Sequence, residues 1–341
     1  MTNKALLFGD IHWKKVDKYN LNPDKARCLA KVLDEWQDKV KYIFHMGDGS
    51  DKPVITSAVG KECEILSGLG ENLSRLYYLR GNHDLSFGKY SPMSGFHIGT
   101  NINLKGMTEI GNNALTLDDT FVCRGYSKEA VPAVDGYRFY CGHQKINYSG
   151  GRYIGSGGIG SGAMKELGYE QMFFGDVHEP ISDENIHSVG TMFPSSFSDE
   201  DYDPGFMILE WDDNESEVHR IKISDYPKFI IIEIDKNSII PPELVKGNII
   251  KIRLIGDEEF GSSNSIAKIR DHVMDLGARD VPIIKPPDIA ISDLSRINQN
   301  KSSDIKQMTT EELLYHSTTK NKWPEPYVKK LIKDLSDVNP N

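Results

Sequence analysis

Five short motifs in the chain set a glycine before an acid, an amide or an imidazole: Gly9-Asp10-Ile11-His12, Gly47-Asp48-Gly49-Ser50-Asp51, Gly81-Asn82-His83-Asp84, Gly142-His143 and Gly175-Asp176-Val177-His178. Carboxylate oxygens, imidazole nitrogens and an amide oxygen are the donors that hold divalent cations such as Mn2+, Mg2+ and Zn2+. Two such cations roughly 3.5–4 Å apart, sharing one carboxylate, make a hydrolytic centre. Each motif taken singly also fits an ordinary turn, in which the carboxylate caps a helix or bonds local N–H groups. Their recurrence in one setting, five times over, points to a shared site instead. Asp10 and His12 are two residues apart, as are Asp176 and His178. Alternate residues of an extended chain face the same way, so each pair presents both ligands to one side. The preceding glycine lets backbone approach a cation or a phosphate with no Cβ in the way.

The elements that must position these motifs are short apolar runs. Residues 4–8, 41–46, 76–80, 138–141, 171–174 and 186–189 read as buried strands, each followed at once by a polar, glycine-containing turn. Residues 23–40 carry Ala26, Leu29, Ala30, Leu33 and Trp36 at spacings of three and four, which predicts a helix. A second helical stretch is expected over 55–76, weakened by Gly60, Gly68 and Gly70. Alternating strands and helices imply an α/β fold with its chemistry at the carboxyl ends of the strands. The glycine-rich segment 149–162 reads as a flexible loop rather than a nucleotide cradle, because no strand–turn–helix unit surrounds it. Residues 206–211 read as a strand between acid-rich, solvated loops that extend over 199–217.

Further on, the β-branched runs 229–234 and 249–255, a helical segment 265–277 and the run 281–284 predict a small separate α/β unit. Residues 286–307 lose hydrophobic density as a linker would, and 308–338 are helical in pattern, broken by Pro324 and Pro326. Val328, Leu331, Ile332 and Leu335 share one face of the last piece, with Lys329, Lys330 and Lys333 on the other; such a helix packs on its own domain or docks on a partner. The expected organisation is a domain over 1–225 that carries the motifs, a capping domain over 226–290, a linker over 291–307 and a helical tail over 308–341.

The 341 residues are 38% hydrophobic and 26% charged, with a formal net charge of −10, which excludes a wholly disordered chain. No run of about 18 apolar residues occurs, and Ala5, Leu6, Leu7 and Phe8 leave no room for a signal peptide, so neither a membrane nor a secreted protein is expected. Cys28, Cys63, Cys123 and Cys141 are scattered, suggesting no disulfide framework and no thiolate zinc site, as in a reducing cytoplasm. Net acidity does not exclude DNA, because bound cations or a local basic patch can hold phosphates. His45 is expected in the core, and His97, His187, His219, His272 and His316 lack metal-like spacing. Tyr77 and Tyr78 read as packing residues, and Ser50 and Asp51 as turn residues or substrate contacts.

The motif series over residues 9–178 resembles that of the calcineurin-like metallophosphoesterases. By layout, the small α/β unit and helical tail are most similar to the double-strand-break repair nucleases typified by bacterial SbcD and the recombination nuclease subunit of T-even phages. The resemblance implies a two-sheet α/β sandwich flanked by helices, with a cap and a tail. It implies that Asp10, His12, Asp48 and His178 hold one divalent cation, and Asp48, Asn82, His143 and Asp176 a second, with Asp48 bridging. Mn2+ is expected first and Mg2+ second. His83 would be the general acid that protonates the leaving oxygen, with Asp84 orienting its imidazole. The activity implied is exonuclease and endonuclease cleavage of DNA in recombination and repair. The partners implied are DNA ends, a second copy of the chain, and a coiled-coil ABC-type ATPase docking on the helix at about 308–338. The short length and compact cap lean toward a phage, and hence a host cytoplasm.

One departure stands out. The family pattern ends in Gly-His-x-His, where this chain has Gly175-Asp176-Val177-His178. A carboxylate ligates the same ion, adds negative charge and shifts the preference from zinc toward Mn2+ or Mg2+; the alternative is a weakened second site. Leu79-Arg80-Gly81-Asn82-His83 resembles a phosphoprotein phosphatase motif, but Asp84 and Asp51-Lys52-Pro53 stand where that family has Glu and Asp-Arg-Gly. A small-molecule phosphodiesterase shares all five motifs and differs in having no cap or tail. A DNA-end-binding scaffold with a weakened metal site has no use for His83.

Overall fold

The computed structural model describes residues 2–51, 57–84, 106–127, 129–133, 136–148, 158–200, 202–235, 237–255 and 263–284. The expected linker and tail, and most of the glycine-rich segment, lie outside them. The chain divides into two compact units, Met1–Phe229 and Ile230–Asn341.

The first unit is a mixed α/β sandwich of two six-stranded sheets. In the first sheet, β1 (Asn3–Phe8), β2 (Tyr42–His45), β3 (Leu76–Leu79) and β4 (Thr108–Ile110) run parallel, and β13 (Gly205–Trp211) and β14 (Ser216–Lys222) extend it antiparallel. The second sheet has the order β11 (Ile181–Asp183), β12 (Ile186–Ser188), β10 (Gln171–Gly175), β7 (Phe139–His143), β6 (Phe121–Arg124) and β5 (Leu115–Leu117). A two-stranded pair, β8 (Ile146–Asn147) and β9 (Ile159–Gly160), stands apart.

All six predicted strand runs are strands, and β4, β5 and β6 lie outside those runs. The core lies between the sheets: Leu7, Tyr42, Phe44 and Trp211 from one meet Phe121, Phe139 and Phe173 from the other. Phe121 stands 5.0 to 5.5 Å, ring centre to ring centre, from Tyr42, Phe44, Phe139 and Trp211. Each such ring, fully buried, contributes on the order of 1.5–3 kcal/mol. Strand alternation sends Tyr140, Met172 and Phe174 to the opposite face of the second sheet, into a separate cluster.

The first predicted helix is α1 (Asn22–Trp36), with Pro23 in its first turn, where the missing N–H costs nothing. The second ends earlier than its pattern suggested. After α2 (Ser57–Ser67), Gly68 and Gly70, the latter at φ +57°, turn the chain into a 3-10 segment, Gly70–Arg75. The glycine-rich segment, expected to be a loop, ends in β9 and the start of a short helix, α3 (Ser161–Lys165). The acid-rich stretch is not uniformly solvated: Asp199 is buried at 3% exposure.

In the second unit, the predicted runs form β15 (Phe229–Ile234), β16 (Ile249–Leu254) and β17 (Ile283–Ile284) in one sheet, with α4 (Pro242–Val245) and α5 (Ser263–Asp275). Ile234, Val245, Ile250, Ile252, Leu254 and Val273 make its own apolar core. Among the described residues no helix is long and apolar enough to cross a membrane.

Candidate metal centre

The parallel register of β1, β2 and β3 brings their carboxyl ends to one edge, and β7 and β10 do the same in the second sheet. All five motifs sit at these ends. The loop after β1 runs beside the loop after β2: the amide N–H groups of Asp10, His12 and Trp13 donate to the carbonyls of Gly47, Asp48 and Gly49 at 2.9, 3.0 and 2.7 Å. The motif glycines serve this approach of loop to loop. A Cβ on Gly81 would collide with the Asp48 carboxylate, and one on Gly175 with the Met46 carbonyl and the His143 ring. Asp10, His12, Asp48 and Asp176 have φ of 50°, 50°, 51° and 80°. Side chains beyond glycine rarely enter this left-handed region, at a cost of roughly 1–3 kcal/mol each.

The structure brings seven predicted ligands and His83 together. His12 Nε2 and His178 Nε2 are 3.0 Å apart. Oδ2 of Asp48 lies 3.9 Å from His12 Nε2 and 3.4 Å from His143 Nε2. One terminal atom of the Asn82 amide stands 2.9 Å from His143 Nε2 and 3.1 Å from both Asp48 Oδ2 and Asp176 Oδ1. Ligand atoms of Asp10, His12 and His178 fall within 4.8 Å of one another, as do those of Asp10, Asp48 and His143, and of His12, Asp48 and His83.

Outer hydrogen bonds fix which nitrogens are free to ligate. His143 Nδ1 donates to the Met46 carbonyl at 2.6 Å and His178 Nδ1 to Asp199 Oδ1 at 2.9 Å, so each ring turns Nε2 into the cluster as its ligand atom. Asp199 is itself held by the Ser195 amide and the Ser196 hydroxyl, both at 3.1 Å. Asp10 Oδ2 and His12 Nδ1 are buried with no hydrogen-bond partner among the described residues. An orphaned carboxylate oxygen, two facing imidazole nitrogens and a carboxylate oxygen common to two ligand sets fit a pair of divalent cations. Asp10, His12, His178 and Asp48 would hold one, and Asp48, Asn82, His143 and Asp176 the other.

Asp84 has a different task from the one expected. Its Oδ2 accepts from the amides of Asp48 and Gly81, each at 2.9 Å, and from the Tyr78 hydroxyl at 3.3 Å, while Oδ1 accepts from the Ser50 amide at 3.2 Å. The carboxylate therefore ties the Asp48 loop to the Asn82 loop. The His83 ring is oriented instead by its Nδ1–H, which donates to the Asp51 carbonyl at 3.1 Å. That leaves Nε2 as the atom able to exchange a proton.

Packing so many acids together perturbs them. Burial, with Asp48 adding, raises Asp10 to about 7 and Asp84 to about 6, and raises Asp176 as well. Burial would lift Asp48 too, but His143, His12 and His83 outweigh it and hold it below the usual carboxylate range. Burial alone would lower His143 and His178; Asp48 lifts the first to about 10, and Asp199 raises the second. His12 falls well below its ordinary value through burial.

Among residues the motifs did not include, Asp199 gave no local signal, since its partner His178 is 21 residues away. Lys25 did give one: it sits on the apolar stripe of α1 with Cys28, Leu29 and Val32, and is buried with them. Burial pushes its ammonium down to about 7. His45 is a core side chain, its ring stacked 4.1 Å from Tyr78 and bonded to buried Glu62 at 3.1 Å. His187 lies in the second sheet, between Ser182 and Gln171.

No curated protein matches the chain. Among solved structures, it is similar to a conserved protein from Streptococcus pneumoniae described as a predicted phosphoesterase, at 12% identity and TM-score 0.32, covering 65% of this chain and 90% of that one. A novel archaeal phosphodiesterase matches at 15% identity and TM-score 0.33, covering 64% and 99%. A purple acid phosphatase from yellow lupin seeds matches at 15% identity and TM-score 0.44, over 67% of this chain and about half of that one, 52%. The pattern of the calcineurin-like phosphoesterases matches residues 4–180, which hold every ligand in the cluster, and the chain belongs to that family.

Proposed function

We propose that the protein is a metal-dependent phosphodiesterase that cuts DNA, the nuclease subunit of an SbcCD-type recombination and repair complex, with Mn2+ as its preferred cation. The observation that carries the phosphodiesterase reading is the convergence of His12, His143 and Asn82 on Oδ2 of Asp48, with the His83 ring 4.9 Å from that of His12. When bound, two cations at these ligands supply Lewis-acid polarisation of a phosphate and acidify the attacking water. The chain's own part is to hold and to protonate. Asp84 and the glycine loops fix Asp48 between the two ligand sets. Exposed His83, with Nδ1 held by the Asp51 carbonyl, presents a proton at Nε2 to the leaving oxygen. Asp176 in place of an imidazole favours Mn2+ or Mg2+ over zinc.

The DNA substrate, the homodimer and the ATPase partner rest on the motif series and on the α/β unit that follows it; residues 308–338, helical in sequence pattern and the segment where the ATPase would dock, lie outside the described residues. Contacts to DNA would fall mainly on backbone phosphates and weaken with salt. The test is degradation of end-labelled linear DNA with Mn2+, beside a nitrophenyl phosphodiester. Cleavage of DNA by wild type supports the nuclease. Hydrolysis of the ester alone would make the protein a small-molecule phosphodiesterase. Neither activity, with metal bound, would leave a DNA-end scaffold.

A further inference from the structure

Lys25 is 1% exposed, on the apolar side of α1, and its amine donates to two backbone carbonyls, those of Ile11 at 2.7 Å and His12 at 2.9 Å. Among the described residues no carboxylate lies within ion-pair distance of it. Burying an ammonium without a counter-ion is costly, so what the group grips is the reason to look for its use. It grips the loop that carries Asp10 and His12, both in the left-handed region.

The other side of that loop is already fixed, through the amides that donate to Gly47, Asp48 and Gly49. Lys25 takes the carbonyl side. Its significance follows from a difference among the three ligand imidazoles His12, His143 and His178. His143 and His178 are each aimed by a hydrogen bond from Nδ1, to Met46 and to Asp199, whereas His12 Nδ1 has no partner among the described residues. Among those residues the His12 ring hydrogen-bonds only to His178, through the Nε2 that faces the cluster, and no partner outside the cluster aims it, so its direction is set by the backbone beneath.

We propose that Lys25 is a positioning residue for the metal centre: by clamping the Ile11 and His12 carbonyls it holds Asp10 and His12 in ligating geometry, doing for His12 what Asp199 does for His178. The inference rests on the metal-binding reading of the cluster and on no substrate. Calorimetric titration with Mn2+ of wild type, Lys25→Met and Lys25→Gln tests it, each also in an Asp176→Ala background that isolates the site with Asp10 and His12.

Loss of an outer partner costs about tenfold to a hundredfold in affinity. Lys25→Met is expected to show that loss at the Asp10–His12 site and less than about threefold at the other, with Lys25→Gln, which keeps two donors, falling between. Equal losses at both sites, or none, would overturn the proposal. So would failure of both variants to fold, since Lys25 would then support the domain and not the ligands. If wild type itself binds no Mn2+, the metal reading fails first and takes this inference with it.

Discussion

The Nε2 nitrogens of His12 and His178 face each other at 3.0 Å, although the two residues leave different sheets, at the ends of β1 and β10. The Nδ1–H of His178 is committed to Asp199, so its Nε2 is a lone pair directed at His12. Either a proton on His12 Nε2, donated to that lone pair, or a cation between the rings satisfies the arrangement.

Protons and cations therefore compete for these atoms. Asp10 near 7 and His143 near 10 both lie above their ordinary values, so both are protonated at mildly acidic pH and must release protons to ligate. Mn2+ affinity should rise between pH 6 and 8, by about tenfold per unit for each proton displaced. Calorimetry in buffers of different ionisation enthalpy counts those protons. An affinity flat across this range would contradict the assignment.

His83→Ala should slow DNA cleavage by about 10²–10⁴-fold, the usual contribution of a general acid. A nitrophenyl leaving group departs without a proton, so the same variant should lose less than about tenfold on a nitrophenyl ester. Equal losses on the two substrates would remove the proton-donor role and leave His83 a binding residue.

The strands and the site were legible for one reason. Runs such as Leu6-Leu7-Phe8 and Phe173-Phe174 are buried on both faces, read as continuous apolar stretches, and break into glycine motifs where the sheets end. What was not legible depends on contacts between distant segments. Asp199 looked like one acid among many in a solvated stretch, and only the fold sets it against His178. Asp84 follows His83 in sequence, which suggested a pair, but the turn directs its carboxylate back to the amides of Asp48, Ser50 and Gly81. Lys25 showed a helical period but not the carbonyls that a buried amine would need.

Asp199→Ala removes the acceptor that holds the His178 tautomer. Mn2+ binding should weaken by about 10–100-fold, with the fold kept. Titration beside a thermal melt checks both; unchanged affinity would make Asp199 a local anchor for Ser195 and Ser196 alone.

Asp176→Ala should lose metal-dependent turnover, and Asp176→His should keep it while shifting preference toward zinc. Activity assayed across Mn2+, Mg2+ and Zn2+ decides. Equal activity in Asp176→Ala and wild type would take Asp176 out of the centre.

Two Mn2+ ions sharing Asp48, whose Oδ2 lies 3.4 Å from His143 Nε2 and 3.9 Å from His12 Nε2, would be spin-coupled. Electron paramagnetic resonance of the Mn2+-loaded protein tests this sharing most directly. A spin-coupled dimanganese signal in wild type, lost in Asp48→Ala, is the predicted result. Two independent Mn2+ signals, or a coupled signal that survives Asp48→Ala, would contradict it.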